Sequence, residues 1–208
     1  MTTVHLLRHG EVHNPDRVLY GRLPGFKLSK LGEAQAKLAA EYLRQFDIGY
    51  LVSSPLERAL QTAEPIAGML GLDVATDDRL LEADNKLQGR NVAGGKGLFT
   101  DVSNWKYFTN PFRPSWGEPY AQIAARVLAA ARDARDAAHG KDAVVVSHQL
   151  PIVCARRFAE GKRLFHDPRR RQCALASVTS LVFDNDRVVR VDYAEPAATL
   201  PPGHGAGA

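Results

Sequence analysis

Leu6-Leu7-Arg8-His9-Gly10-Glu11 closes the apolar run that begins at Val4. It reads as a buried strand that breaks into a loop and delivers an imidazole beside a permanent cation. In an open, mostly parallel α/β sheet, chemistry gathers at such C-terminal strand ends. Phosphate chemistry is therefore the first reading to test. Three residues are a short match, and a histidine at a strand end is often only a satisfied structural residue.

Three further segments supply what phosphoryl transfer through histidine needs. Ser53 to Ala63 follows a short apolar strand, Tyr50–Val52. Pro55 suits the first turn of a helix, and Ser54 before it is a candidate N-cap. Arg58 then falls in the first helical turn, where its planar fork can take two phosphate oxygens beside the positive helix end. Ala143-Val144-Val145-Val146-Ser147-His148 is a β-branched run that ends in a second histidine, expected at the same sheet edge as His9. Arg79-Leu80-Leu81-Glu82 reads as an extended segment ending in a carboxylate that can donate a proton. The bland alternatives are a His148 satisfied by a backbone carbonyl, a surface Arg58 paired with Glu57 or Glu11, and Asp84 as the acid in place of Glu82.

Taken together, Arg8-His9-Gly10-Glu11, Ser54-Pro55-Leu56-Glu57-Arg58-Ala59 with Gln61-Thr62-Ala63, Leu81-Glu82 and Val146-Ser147-His148 resemble the histidine phosphatase superfamily. That group includes phosphoglycerate mutases, fructose-bisphosphatases and broad-specificity phosphomonoesterases. The resemblance runs from about Val4 to Phe183. Leu28-Ser29-Lys30-Leu31-Gly32-Glu33-Ala34-Gln35-Ala36 is similar to the family's helix-opening pattern. It implies a phosphohistidine at His9, with Arg8, Arg58 and a protonated His148 neutralising the phosphoryl group. Asn14, Gly21 and Gln149 are the accompanying substrate-binding positions, and Glu82 is the proton donor and acceptor. A phosphomonoester carries about −1.5 to −2 charge near neutral pH, which gives that many cations a purpose. The scheme needs no metal and no cofactor. His9, Glu82 and His148 also have the donor types of a zinc site, but two arginines aimed at the same place would repel a divalent ion. The chain departs from the family after Glu82. Where an aromatic-Gly pair is usual, it reads Ala83-Asp84-Asn85-Lys86-Leu87-Gln88-Gly89.

Composition bounds the rest. The chain has 208 residues, 45% of them hydrophobic and 24% charged, with a net charge of +4, as befits a globular protein of one domain. That domain is expected over residues 1–194, with a mobile Pro/Gly/Ala-rich tail over 195–208. Strands and helices alternate, which predicts an α/β fold of three layers, α/β/α, around a mainly parallel sheet. Helices are expected over Lys30–Phe46, with Ala34, Leu38, Ala39, Tyr42, Leu43 and Phe46 inward, and over Pro119–Ala138, with Ile123, Val127, Leu128 and Ala131 inward and Arg126 outward. Ala176–Phe183 and Val188–Tyr193 read as an edge hairpin. Cys154 and Cys173 lack metal-ligand spacing and read as reduced structural thiols. The N-terminus has no secretory pattern, and no apolar run approaches the roughly 20 residues of a membrane span, so a cytoplasmic protein is expected.

Gly94-Gly95-Lys96-Gly97 fails the P-loop pattern at Arg90 and Gly97. The basic residues Arg156, Arg157, Lys162, Arg163, Arg169, Arg170 and Arg171 fit a solvated face or a rim that attracts phosphorylated substrates better than a nucleic-acid site. Asn85 to Gly117 mixes glycines with aromatics and suits a loop-rich cap over the pocket, or an aromatic satellite core. It lacks the mutases' arginine pair, and Trp116-Gly117-Glu118 is similar to a turn of the phosphatase branches. The expected function is thus hydrolysis of a small phosphorylated metabolite. A phosphoglycerate mutase and a catalytically weak phospho-ligand sensor are the alternatives. The sequence is compatible with an oligomer.

Overall fold

Six strands form one sheet: β1 (Thr2–Arg8), β2 (Ile48–Ser53), β3 (Ala75–Thr76), β4 (Asp142–Ser147), β5 (Val178–Asp184) and β6 (Arg187–Ala194). Their order in the computed structural model, which describes residues 1–91 and 117–201, is β3-β2-β4-β1-β5-β6. β3, β2, β4 and β1 pair in parallel, whereas β5 runs antiparallel to β1 and forms a hairpin with β6. The mainly parallel sheet with an edge hairpin expected from the sequence is what forms. Asn185 turns the hairpin in a left-handed conformation, φ 51°, which asparagine tolerates better than most residues.

The helices among the described residues are α1 (Lys30–Leu43), α2 (Glu57–Leu70), α3 (Tyr120–Ala137) and α4 (Gln149–Ala159). Because strand side chains alternate, the apolar residues divide between two faces. Leu7, Leu51, Val144, Val146 and Val178 meet Ala39, Ala40, Leu43, Ala63 and Ile66 of α1 and α2. Val4, Leu6, Val52, Val145, Leu181 and Phe183 meet Ile123, Val127, Leu128, Ala131 and Ile152 of α3 and α4. With both faces covered, β1 and β4 read as near-continuous apolar runs. Among the described residues no helix is long and apolar enough to cross a membrane.

Several local expectations are corrected. α1 ends at Leu43, and its fully buried stripe is Ala36, Ala39, Ala40 and Leu43, with Ala34, Leu38 and Tyr42 only partly covered. Arg79–Glu82 is not extended throughout. Asp77 accepts from the Arg79 N–H and caps a 3-10 turn over Asp78–Leu80, a local hydrogen bond that competes successfully with strand pairing. The packed body continues past residue 194, because Ala197 is buried and Leu200 packs on the α1/α2 core. Of the cap expected over Asn85–Gly117, residues 92–116 lie outside the described residues, as do the tail residues 202–208.

Candidate active site

Strand register brings the two histidines together. Arg8 pairs with Ser147 across β1 and β4, so the next residue of each strand, His9 and His148, leaves the sheet side by side. The His9 amide donates to the Ser147 carbonyl at 3.1 Å, and the ring centroids lie 5.1 Å apart. β2 ends beside them, its following Ser54 N–H donating to Val146 O at 2.9 Å.

The loop after His9 is pressed against the start of α1. A Cβ on Gly10 would come within 2.5 Å of Gly32 O, and one on Gly32 within 2.1 Å of Glu11 O. Only glycine permits that approach. It lets Gln35 Oε1 accept from the Glu11 N–H at 2.8 Å, and Glu11 Oε2 accept from the Ser29 hydroxyl at 2.6 Å. Ser29 in turn caps α1 through the Gly32 N–H. On the α2 side, Thr62 Oγ1 donates to Arg58 O and accepts from the Gly10 N–H.

His9 Nδ1 lies 2.8 Å from Gly10 O. A carbonyl can only accept, so Nδ1 carries the proton and Nε2 keeps its lone pair. Burial, with Arg58 and Arg8 nearby, pushes the imidazole well below its ordinary value of 6.5 and holds it neutral, against a smaller opposing effect of the Gly10 carbonyl. His148 Nε2 meets Ser54 Oγ at 2.8 Å. Burial, Arg58, His9 and Arg8 likewise hold His148 well below 6.5. Burial and the two arginines thus favour the neutral imidazole of His148; the protonated form expected from the sequence needs the negative charge of a bound phosphoryl group. When the Ser54 hydroxyl donates to Nε2, Nδ1 carries the hydrogen.

Arg8 is anchored by Nη1 donating to Cys173 O at 2.7 Å, and Arg58 by Nη2 donating to Gly21 O at 2.7 Å. The Arg58 guanidinium also sits 4.7 Å above the Tyr20 ring. Arg58 is 1% exposed, so it is not a surface ion-pair residue; Glu57 instead accepts from the Gly25 amide. Glu82 is 3% exposed, and its Oε1 accepts from the Ala83 N–H at 2.8 Å. Burial raises its pKa, only partly offset by that N–H and by Arg58, Arg171 and Arg8. Asp84, the other candidate acid, is exposed.

Five residues that act on one another electrostatically carry buried atoms without a partner among the described residues: Arg8 Nε and Nη2, His9 Nε2, Arg58 Nε, His148 Nδ1 and Glu82 Oε2. Buried polar groups are normally paired. A set of four donors, one nucleophilic lone pair and one carboxyl oxygen suits a tetrahedral oxyanion. Among the described residues no group of three or more His, Cys, Asp or Glu side chains is placed to hold a metal ion. Cys154 and Cys173 are free and buried, and burial pushes the Cys154 thiol up to about 12.

The remaining sequence candidates divide. Gly21, φ +44°, supplies the carbonyl that holds Arg58. Asn14 spends both ends of its amide on Val18, closing the loop after the first motif. Gln149 accepts from Arg171 Nη1 at 3.3 Å and donates to Cys173 O at 3.4 Å. Ser54 is not a helix cap, since α2 begins at Glu57 with Leu56 as its N-cap. It is the partner of His148. Arg126, expected in solvent, is mostly buried: it forks onto Glu118 at 2.8 and 2.9 Å and donates to Leu81 O at 2.8 Å. Arg22 donates to Glu82 O at 2.6 Å. These two arginines fix the backbone that carries Glu82, and their sequence context offered no signal of it. The unusual Ala83–Gly89 stretch has a structural use. Gly89 N donates to Leu19 O, Leu19 N to Arg90 O, and Gln88 Oε1 accepts from Arg22 N, so it zips onto the loop that bears Gly21.

Known proteins resemble this chain in sequence and in fold. Residues 4–195 match the family described as the histidine phosphatase superfamily (branch 1). The "Uncharacterized protein Rv0525" of Mycobacterium tuberculosis is 54% identical over 197 residues, covering 95% of this chain and 98% of that protein. The "Probable phosphoglycerate mutase GpmB" of Escherichia coli is 31% identical over 201 residues, covering 94% of this chain and 86% of that protein. Among solved structures, the mycobacterial glucosyl-3-phosphoglycerate phosphatase Rv2419c complexed with inorganic phosphate superposes with a TM-score of 0.73 at 26% identity, covering 95% of this chain and 100% of that one. Entamoeba histolytica phosphoserine phosphatase in complex with 3-phosphoglyceric acid shares the fold, with a TM-score of 0.73 at 22% identity over 95% of this chain and 100% of that one.

Proposed function

Because the chain belongs to branch 1 of the histidine phosphatase superfamily, a family of phosphatases and mutases, we propose that it hydrolyses a small phosphomonoester through a phosphohistidine at His9. The observation that carries this reading is that Arg8, His9, Arg58, Glu82 and His148, linked electrostatically through the two arginines, all carry buried atoms without a partner among the described residues. Arg8 Nη2, Arg58 Nε and His148 Nδ1–H hold the phosphoryl oxygens. His9 Nε2 attacks phosphorus while Nδ1–H stays on Gly10 O. The N–P bond forms as the ester P–O bond breaks, and protonated Glu82 delivers its proton to the leaving oxygen. Burial keeps that proton on Glu82 above the ordinary carboxylate range, as a general acid requires. The resulting carboxylate then takes a proton from water as its oxygen attacks phosphorus, which releases phosphate and restores neutral His9.

A ³¹P NMR time course of wild type and His9→Ala with a panel of small phosphomonoesters tests the reading. Inorganic phosphate growing only with wild type is the expected result. Conversion of 3-phosphoglycerate to 2-phosphoglycerate without phosphate release would make the chain a mutase, and binding without turnover would make it a phospho-ligand sensor.

A further inference from the structure

Of the basic run near residue 170, Arg171 alone is turned inward. Arg169 and Arg170 are exposed, and Arg169 pairs with Asp167 at 3.1 Å. Arg171 Nε donates to His166 Nε2 at 3.0 Å, and Nη1 to Gln149 Oε1 at 3.3 Å. His166 Nδ1 lies 2.6 Å from Leu164 O, which fixes its proton on Nδ1 and leaves Nε2 an acceptor, so His166 is neutral. Gln149 is neutral as well. No carboxylate of the described residues lies within ion-pair distance of Arg171, whereas Arg22 and Arg126 both meet Glu118, at 3.4 and 2.8 Å. The hydrogen-bond partners of Arg171 are thus all neutral, and its main electrostatic attraction is to Glu82, which must stay protonated to act as a general acid; a largely buried cation so placed gains from an anion that joins it.

The place of that anion follows from Glu82. A general acid must face the leaving oxygen, so the alcohol part of the substrate lies in the pocket that Glu82 walls. This pocket has a volume of about 120 Å³ and is bounded by Glu82, Leu150, Tyr120 and Arg171, with Asp84 and the Arg126-paired Glu118 also in its wall. At about 30 Å³ per water-sized group, it holds roughly four such groups. Arg171 also borders a cavity of about 450 Å³ on its other side, with Arg8 and Gln149. On the hydrolase reading above, we infer that Arg171 determines specificity by binding a carboxylate on the substrate's alcohol portion, so that the substrates are phosphomonoesters of short hydroxy acids. Its Nη2, which has no hydrogen-bond partner among the described residues, is the contact. No motif of the sequence assigns this residue a part in the site.

Two esters of one carbon skeleton test it: 3-phosphoglycerate, and glycerol 3-phosphate, in which a hydroxymethyl group replaces the carboxylate. Binding is measured calorimetrically on the His9→Ala protein with and without Arg171→Met, which keeps most of the apolar stem. The first protein is expected to prefer 3-phosphoglycerate by about 10- to 100-fold, the range of a charge-assisted hydrogen bond. Arg171→Met collapses the preference to about threefold or less, and Arg171→Lys restores part of it, which a folding defect would not do. Any effect of Arg171 on Glu82 is common to both esters and cancels in the ratio. A ratio unchanged by Arg171→Met, or binding of neither ester, overturns the inference. The intact ratio effect without His9-dependent phosphate release from wild type would remove the hydrolase reading and leave the assignment of Arg171 standing.

Discussion

Replacing Glu82 by Gln should make the protein more stable and less active at once. Glu82 Oε2 is buried without a partner among the described residues, and desolvation outweighs the attraction of Arg58, Arg171 and Arg8, so the folded pKa lies above the ordinary 4.5. Between 4.5 and that raised value the native state binds more protons than the unfolded chain. The contribution of Glu82 to stability is therefore fully present below pH 4.5 and is lost as pH rises through the folded pKa. At pH 7.5 the glutamine variant escapes that penalty. A buried, unsatisfied polar group costs about 1–3 kcal/mol, more when charged, and recovery of about 1 kcal/mol raises Tm by roughly 2–4 °C in a chain of this length. Thermal melts of both proteins from pH 4 to 8 provide the assay: the curves coincide near pH 4 and separate as pH increases. In parallel, kcat for alkyl phosphates is expected to fall by about 10²–10⁴, with a smaller loss for p-nitrophenyl phosphate, whose leaving group needs no proton. A variant that melts below wild type at pH 7.5 would refute the reasoning, because the three arginines would then gain more from the carboxylate than burial costs it. Equal losses with both leaving groups would remove Glu82 from proton transfer.

Other outcomes follow from single contacts. The pH profile of kcat/KM should rise as His9 loses its proton below 6.5 and fall as Glu82 loses its own above 4.5; Glu82→Gln should abolish the falling limb, and a limb that persists assigns it to another group. Gly32→Ala forces a Cβ to 2.1 Å from Glu11 O and should destabilise by about 2–3 kcal/mol, or roughly 4–12 °C. Gly68→Ala in α2, with nothing within 4 Å, should instead gain about 0.5–1 kcal/mol; similar melts for the two would contradict the close approach. Ser54→Ala frees His148 Nε2 and should lower kcat/KM about tenfold while the ¹⁵N shifts of His148 report a mixed tautomer; unchanged shifts would mean that Ser54 does not fix the ring.

Much of this protein was legible in the chain. The β-branched run before Ser147-His148 and the apolar run before Arg8-His9 could bury both faces only inside a parallel sheet. Strand ends at one edge then followed from topology, and with them the meeting of His9, His148 and Arg58. These features depend on local pattern and on a period of two, which the sequence carries directly. What depended on long-range partners was not legible. The charge of His148 depends on burial and on two arginines from other elements. Asp77 turned Asp78–Leu80 into a 3-10 turn, and Arg22 holds Glu82 from 60 residues away while Arg126 holds the adjacent Leu81 from 45. Arg171 reads in sequence as one more residue of a basic run, on a solvated face or a rim that attracts phosphorylated substrates. Only the packing of Gln149 and His166 against it, with no carboxylate at ion-pair distance among the described residues, turned that side chain toward the pocket. Sequence alone thus determined the sheet, its reactive edge and the residue types gathered there. Tertiary structure decided their protonation and which arginine faces the substrate, because desolvation and counter-charge are set by neighbours that the chain order does not reveal.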